Sequence, residues 1–188
     1  VLIVAMAIGL ALGIQAFVVK PYQIPSPSMV PTLEVGQRVL VNRFSYRLGG
    51  DPEVGDVVVF HPPVGAEQGN QCGVEIRVDR ELCPEPTPEM ADTNFIKRVV
   101  AGPGDTLSIE RGTPIVNGEP LDQSDWTIRQ CPTCNFPDEI TIPDDSYFMM
   151  GDNRASSDDS RYWGPVPRDW LIGEAFFTYW PPDRIGLL

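Results

Sequence analysis

Of the fourteen basic residues in this chain, twelve are arginine and only Lys20 and Lys97 are lysine. Lys97 stands in the run Asn94 to Val100. Period-2 alternation groups it with Phe95 and Val99 on one strand face and puts Ile96, Arg98 and Val100 on the other. Burial among apolar neighbours disfavours a charged ammonium, lowers its pKa and leaves an amine able to accept a proton. A serine hydroxyl needs such a base beside it to become a nucleophile. Serines 26 and 28 lie in Ile24 to Leu33, where Pro25, Pro27 and Pro31 fix φ and hold Ser28 in place. A third feature is the polar loop Gly151 to Arg161. Its acids can pair with Arg154, Arg161 and Arg98 to brace a site, and its serines can orient a neutral lysine.

Each feature has a plainer account. Lys97 can be an edge-strand lysine that keeps the edge soluble. The proline–serine segment can be a linker, although Met29 and Leu33 gain nothing in a solvated spacer. The loop can be a calcium site, but Arg154 occupies a position where alternating oxygen ligands are required. A histidine triad has one candidate, His61, which precedes Pro62 and Pro63 at a strand end. The chain contains no GxSxG elbow, no SxxK of the penicillin-binding type and no HExxH.

The elements that must position these residues read as short strands. Arg38 to Asn42 and Asp56 to Phe60 are rich in β-branched residues. Asn94 to Ala101, Thr106 to Glu110, Pro114 to Val116 and Ser146 to Met150 follow, with Asn117-Gly118 a hairpin signal. Leu48 to Glu53 is a turn, and 61–92 reads as a long loop stapled by cysteine. Trp170 to Trp180 is a final strand or two, packed in the core or dipping into a membrane interface. Twenty prolines in 188 residues argue against a helical bundle. A formal charge of −12 argues against nucleic acid as a partner.

Residues 1–19 carry no charge. As a helix they would reach roughly 28 Å, close to the hydrocarbon thickness of a bilayer. A transmembrane anchor ending at Lys20, Pro21 and Tyr22 is expected; a cleavable signal peptide is the alternative. Cys72, Cys83, Cys131 and Cys134 all lie beyond it. Two disulfides fit better than zinc, because the first pair lacks knuckle spacing. Local pairing is the simplest of three connectivities.

Three long motifs then agree in order and spacing with one family. Ile24 to Leu33, Phe95 to Asp105 and Gly151 to Pro165, with Asp56 to Phe60 beside them, resemble bacterial type I signal peptidases. The resemblance covers most of residues 18–60 and 94–180; both cysteine segments fall outside its motifs. It implies a serine endopeptidase with a Ser–Lys dyad, in which Ser28 matches the nucleophile and Lys97 the general base. Ser26 matches the serine that completes an oxyanion hole with the Ser28 N–H, and Ser157 the serine that hydrogen-bonds the lysine amine. Asp152, Arg98, Asp159 and Arg161 match supporting ion-pair residues.

The resemblance further implies a mainly β fold, as in signal peptidases and the related repressor-type peptidases. Its catalytic core would be 20–104 and 147–188, with a smaller β lobe inserted at 105–146. The substrates implied are secretory preproteins, cut after small residues in an Ala-X-Ala pattern on the outer side of the bacterial cytoplasmic membrane. No cofactor or metal is expected. Two readings compete: a self-cleaving Ser–Lys protease, and an anchored β-rich binding module without catalysis.

Overall fold

The computed structural model describes residues 3, 4, 6, 18–67, 71–75 and 80–188. Among these residues twelve strands form two sheets, and every pairing between them is antiparallel. The larger sheet contains β1 (Val19–Gln23), β2 (Arg38–Asn42), β3 (Val57–Phe60), β4 (Phe95–Ala101), β9 (Ser146–Met150), β10 (Val166–Pro167), β11 (Leu171–Trp180) and β12 (Gly186–Leu187). Its order is β1-β2-β11-β3-β4-β9-β10, with β12 against β11. The smaller sheet contains β5 (Thr106–Glu110), β6 (Thr113–Val116), β7 (Glu119–Pro120) and β8 (Phe136–Thr141), in the order β7-β6-β5-β8.

The central strands show why the sequence folds this way. All four residues of β3 are buried. Val57 and Val59 join one core cluster with Ile24, Met29, Leu33 and Ile96. Val58 and Phe60 join a second with Val99, Met149 and Trp163, against which Phe95 packs. A strand covered on both faces requires this unbroken apolar run. In β4 the pairing with β9 shifts register between Val99 and Ala101. Past that shift, Val100, Ala101, Phe148 and Met150 share a third cluster with Leu107, Ile109 and Phe136 of the smaller sheet. The two sheets are therefore joined through a common core.

Several details differ from the sequence expectation. Lys20, Pro21 and Tyr22 do not close a helix; they lie within β1, paired with Val41, Leu40 and Val39. Proline is tolerated there because β1 is an edge strand. Most of the expected spanning segment, 1–19, lies outside the described residues. Among the described residues no helix is long and apolar enough to cross a membrane. Two four-residue helices have no counterpart in the sequence expectation: α1 (Phe44–Arg47), which precedes the Leu48 to Glu53 turn, and α2 (Ser160–Trp163), which overlaps the end of the polar loop. β8 went unpredicted because Pro137, Asp138 and Glu139 interrupt its apolar pattern.

β11 is one strand, held between β2 and β3, with Gly173, Ala175 and Thr178 buried. Disulfides join Cys72 to Cys83 and Cys131 to Cys134. Within the long loop a bridge pairs Pro63 with Met90.

Candidate active site

Ser28 sits in a single 3-10 turn, Pro27–Met29, with proline at its first position. Met29 beside it is fully buried in the first core cluster, which anchors the turn. The loop after β9 fixes the turn from the other side. The Asn153 N–H donates to the Ser28 carbonyl at 3.0 Å, and Asn153 Nδ2 donates to the Pro27 carbonyl at 3.1 Å. Gly151 lies under the same turn: a Cβ there would come within 2.5 Å of the Ser28 carbonyl oxygen and would also press on Ser157. Glycine is required at 151 for space.

Lys97 projects from β4 toward this turn, and its Nζ lies 2.7 Å from Ser28 Oγ. It also donates to the Ile96 carbonyl at 3.2 Å and stands 5.3 Å from the centre of the Phe95 ring. Lysine 97 is 4% exposed and Ser28 6%. Burial pushes the Lys97 ammonium down to about 8. The charges of Asp159, Asp158 and Asp152 pull the other way, and Arg161 assists burial. Desolvation outweighs the carboxylates because none of them forms an ion pair with Nζ. Ser26 Oγ lies 3.2 Å from Ser28 Oγ. Around these groups opens a cleft of about 460 Å³, walled by residues that include Pro25, Ala66, Phe95, Ile96, Ser156 and Asp158.

Two buried ion pairs flank the Ser28–Lys97 contact. Arg98, next to Lys97 on β4, grips Asp152 with Nε at 2.9 Å and Nη2 at 2.7 Å. Its Nη1 donates to the Gly55 carbonyl at 2.6 Å. The Thr32 hydroxyl donates to Asp152 at 2.5 Å, so this carboxylate ties the serine segment to the lysine strand. Arg161 grips Asp159 with Nε at 2.6 Å and Nη2 at 2.8 Å. Burial alone would raise the Asp159 carboxyl; Arg161 overrides it, and with the Gly151 N–H and Ser157 holds it below the usual range. Arg161 Nη2 also donates to the carbonyls of Arg154 and Ser157, at 2.8 and 3.1 Å. Ser157 is buried beside the Asp159 carboxylate, and its Oγ lacks a well-formed hydrogen bond.

The structure thus gathers Ser26, Ser28 and Lys97 in one cleft and sets Asp152, Arg98, Asp159, Arg161 and Ser157 around it. His61 is elsewhere: its Nδ1 donates to the Thr93 carbonyl at 2.9 Å, and it lines a different cavity. Two residues that support this site gave no usable signal in the sequence. Thr32 gives no local signal. Asn153 stands in the flagged loop, but its Nδ2 partner is 126 residues away. Arg154, expected to pair with the acids of its loop, turns away from them and donates to the Gly112 carbonyl at 2.7 Å and to Gln123 at 2.5 Å, tying the loop to the smaller sheet. No group of three or more His, Cys, Asp or Glu placed to hold a metal ion occurs among the described residues.

A buried serine hydroxyl against an amine of lowered proton affinity is an arrangement suited to acyl transfer. The chain belongs to the signal peptidase family, peptidase S26, whose family model matches residues 1–180. It is 39% identical over 182 residues to the probable signal peptidase I-2 of Synechocystis sp., covering 97% of this chain and 72% of that protein. It is 38% identical over 185 residues to the signal peptidase I of Leptolyngbya laminosa, covering 98% and 80%. A crystal structure of a signal peptidase I from Enterococcus faecalis V583 aligns with 66% of this chain and 96% of its own at 21% identity and a TM-score of 0.40. The protein is a peptidase, and family membership sets aside the non-catalytic binding module.

Proposed function

We propose that this peptidase removes signal peptides from secretory preproteins with a Ser28–Lys97 dyad. The observation that carries the reading is the 2.7 Å approach of Lys97 Nζ to Ser28 Oγ, two nearly buried side chains at the wall of the cleft. With the amine neutral, the hydroxyl donates its proton to Nζ as Oγ bonds to the substrate carbonyl carbon. The Ser28 N–H and the Ser26 hydroxyl stabilise the developing oxyanion; each such donor typically contributes about 3 kcal/mol. The intermediate expels the amine, which takes the proton from Lys97. Water then adds to the acyl ester, giving its proton to Nζ, and as the C–Oγ bond breaks the lysinium returns that proton to Oγ, restoring Ser28 and the neutral amine.

Arg98–Asp152 and Asp159–Arg161 hold the strand and loop that carry the reacting groups; Ser157, expected to hydrogen-bond the amine, makes no such bond in this structure, where Nζ meets Ser28 Oγ and the Ile96 carbonyl. None of these steps calls for a metal or cofactor. Residues 20–104 and 147–188 form the catalytic core in this reading, and 105–146 a smaller lobe that braces it through Arg154. Residues 1–19 anchor the chain in the bacterial cytoplasmic membrane, with the catalytic part outside. Ser28 lies eight positions after Lys20, at most about 28 Å of extended chain. The cleft therefore lies within reach of the bilayer surface, where a preprotein's Ala-X-Ala segment emerges.

The direct test mixes the anchored protein with such a preprotein and maps the cut bond. Cleavage after the second small residue, lost in Ser28→Ala and in Lys97→Ala while both variants remain folded, is expected. Turnover in Lys97→Ala comparable to the parent would rule out the dyad.

A further inference from the structure

A second cavity, of about 400 Å³, shares no wall residue with the cleft over Ser28 and Lys97. Its size falls in the range of small-ligand sites, about 300–1,000 Å³. Arg43, Arg47, Arg168 and His61 line it together with Asp169, and the charges of Asp56 and Glu174 reach the Tyr46 hydroxyl in its wall. On a chain of net charge −12 this is a local reversal of sign. Arg168 is already engaged: Nε donates to Asp51 at 2.6 Å, and Nη2 to the Gly50 and Tyr46 carbonyls at 2.7 and 3.2 Å. Arg43 and Arg47 have no carboxylate partner among the described residues. Arg43 Nε and the Tyr46 hydroxyl are buried without a hydrogen-bond partner. A buried donor left unpaired is costly, and an anion bound between two guanidinium groups would relieve it.

The position of the cavity identifies the anion. The Arg43 N–H donates to the Val18 carbonyl at 2.9 Å, so this arginine is tied to the end of the segment read as the membrane anchor. The remaining walls are apolar, with Met90, Leu171 and Ile172, and Phe44, Leu48 and Met90 expose their side chains to solvent. Free arginines beside exposed apolar groups suit a phosphate ester whose acyl chains lie alongside. We propose that this cavity binds the phosphate of an anionic phospholipid through Arg43 and Arg47. The lipid as source rests on the membrane-anchored reading above; the demand of the two arginines for an anion does not.

The test uses the full chain in neutral detergent, titrated by calorimetry with dihexanoylphosphatidylglycerol, dihexanoylphosphatidylcholine and inorganic phosphate. Saturable binding of the phosphatidylglycerol is expected, weakened about tenfold or more in Arg43→Gln/Arg47→Gln and unchanged in Arg38→Gln. Should the double variant melt early, Arg47→Gln alone, at an exposed position, is expected to weaken binding about threefold or more. Equal binding by parent and arginine variants would overturn the proposal, as would phosphate or phosphatidylcholine binding as tightly as phosphatidylglycerol. Preprotein cleavage in the same detergent separates the two readings. Ser28-dependent cleavage without lipid binding counts against the cavity alone, and lipid binding without that cleavage counts against the peptidase mechanism alone. Flotation of the chain with neutral vesicles tests the anchor independently of both.

Discussion

Lys97 and Arg98 are neighbours on one strand, both buried, and they meet opposite electrostatic surroundings. Arg98 faces a carboxylate that accepts two of its N–H groups, with the Gly55 carbonyl taking a third and the Trp126 ring lying 4.9 Å away. Lys97 faces a hydroxyl, a carbonyl and an aromatic ring. The three nearby carboxylates act on it from a distance, and two of them, Asp152 and Asp159, are committed to arginines. Burial therefore builds a brace on one side of the strand and an amine of low proton affinity on the other. The paired arginines make the second possible: they occupy the acids that would otherwise hold the Lys97 ammonium charged.

The sharpest way to break this contrast is to make Lys97 like its neighbour. Lys97→Arg and Lys97→Met should both lower kcat/KM for a preprotein by about 10⁴-fold. In the parent, kcat/KM should rise with pH through an apparent pKa near 8, because the reacting form is the neutral amine. Next in size is the brace. Arg98→Met strands the buried Asp152 carboxylate and should destabilise the fold by about 3–5 kcal/mol in denaturant titrations. Replacing both partners, Arg98→Met with Asp152→Leu, should recover most of that loss.

Smaller again is Gly151→Ala. It pushes the Ser28 turn and Ser157 apart and should cost about 10²-fold in kcat/KM through misplacement of the hydroxyl. The smallest expected effect has the opposite sign. A buried lysine with a lowered pKa destabilises the folded chain while it is charged, so stability should climb between pH about 8 and 10.5 as the folded state loses its proton before the unfolded one. Lys97→Met should accordingly be more stable than the parent at pH 7, by about 1–3 kcal/mol, with the gain gone at the top of that window.

The contrast was partly legible in the sequence. Alternation along Phe95 to Val100 separates Lys97 from Arg98, because a strand's period of two is a local property. The prolines around Ser28 announce a fixed backbone for the same reason. What holds that backbone in place is not local. Asn153 grips Pro27 and Ser28 across more than a hundred residues, Thr32 meets Asp152, and Arg154 leaves its acidic neighbours for Gly112. These contacts depend on how β9 and the smaller sheet pack, which no short window encodes. β8 escaped for a related reason: its partner β5 imposes strand geometry on a segment whose own residues argue for a loop.

With only two lysines in the chain, the central claim is open to direct titration. Lys20→Arg protein carrying ¹³C-labelled lysine would report a single side chain, and its Cε shift can be followed against pH by NMR. A midpoint near 8 is predicted for Lys97. A midpoint near the ordinary lysine value of about 10.4, in protein that cleaves preprotein at neutral pH, would contradict the account.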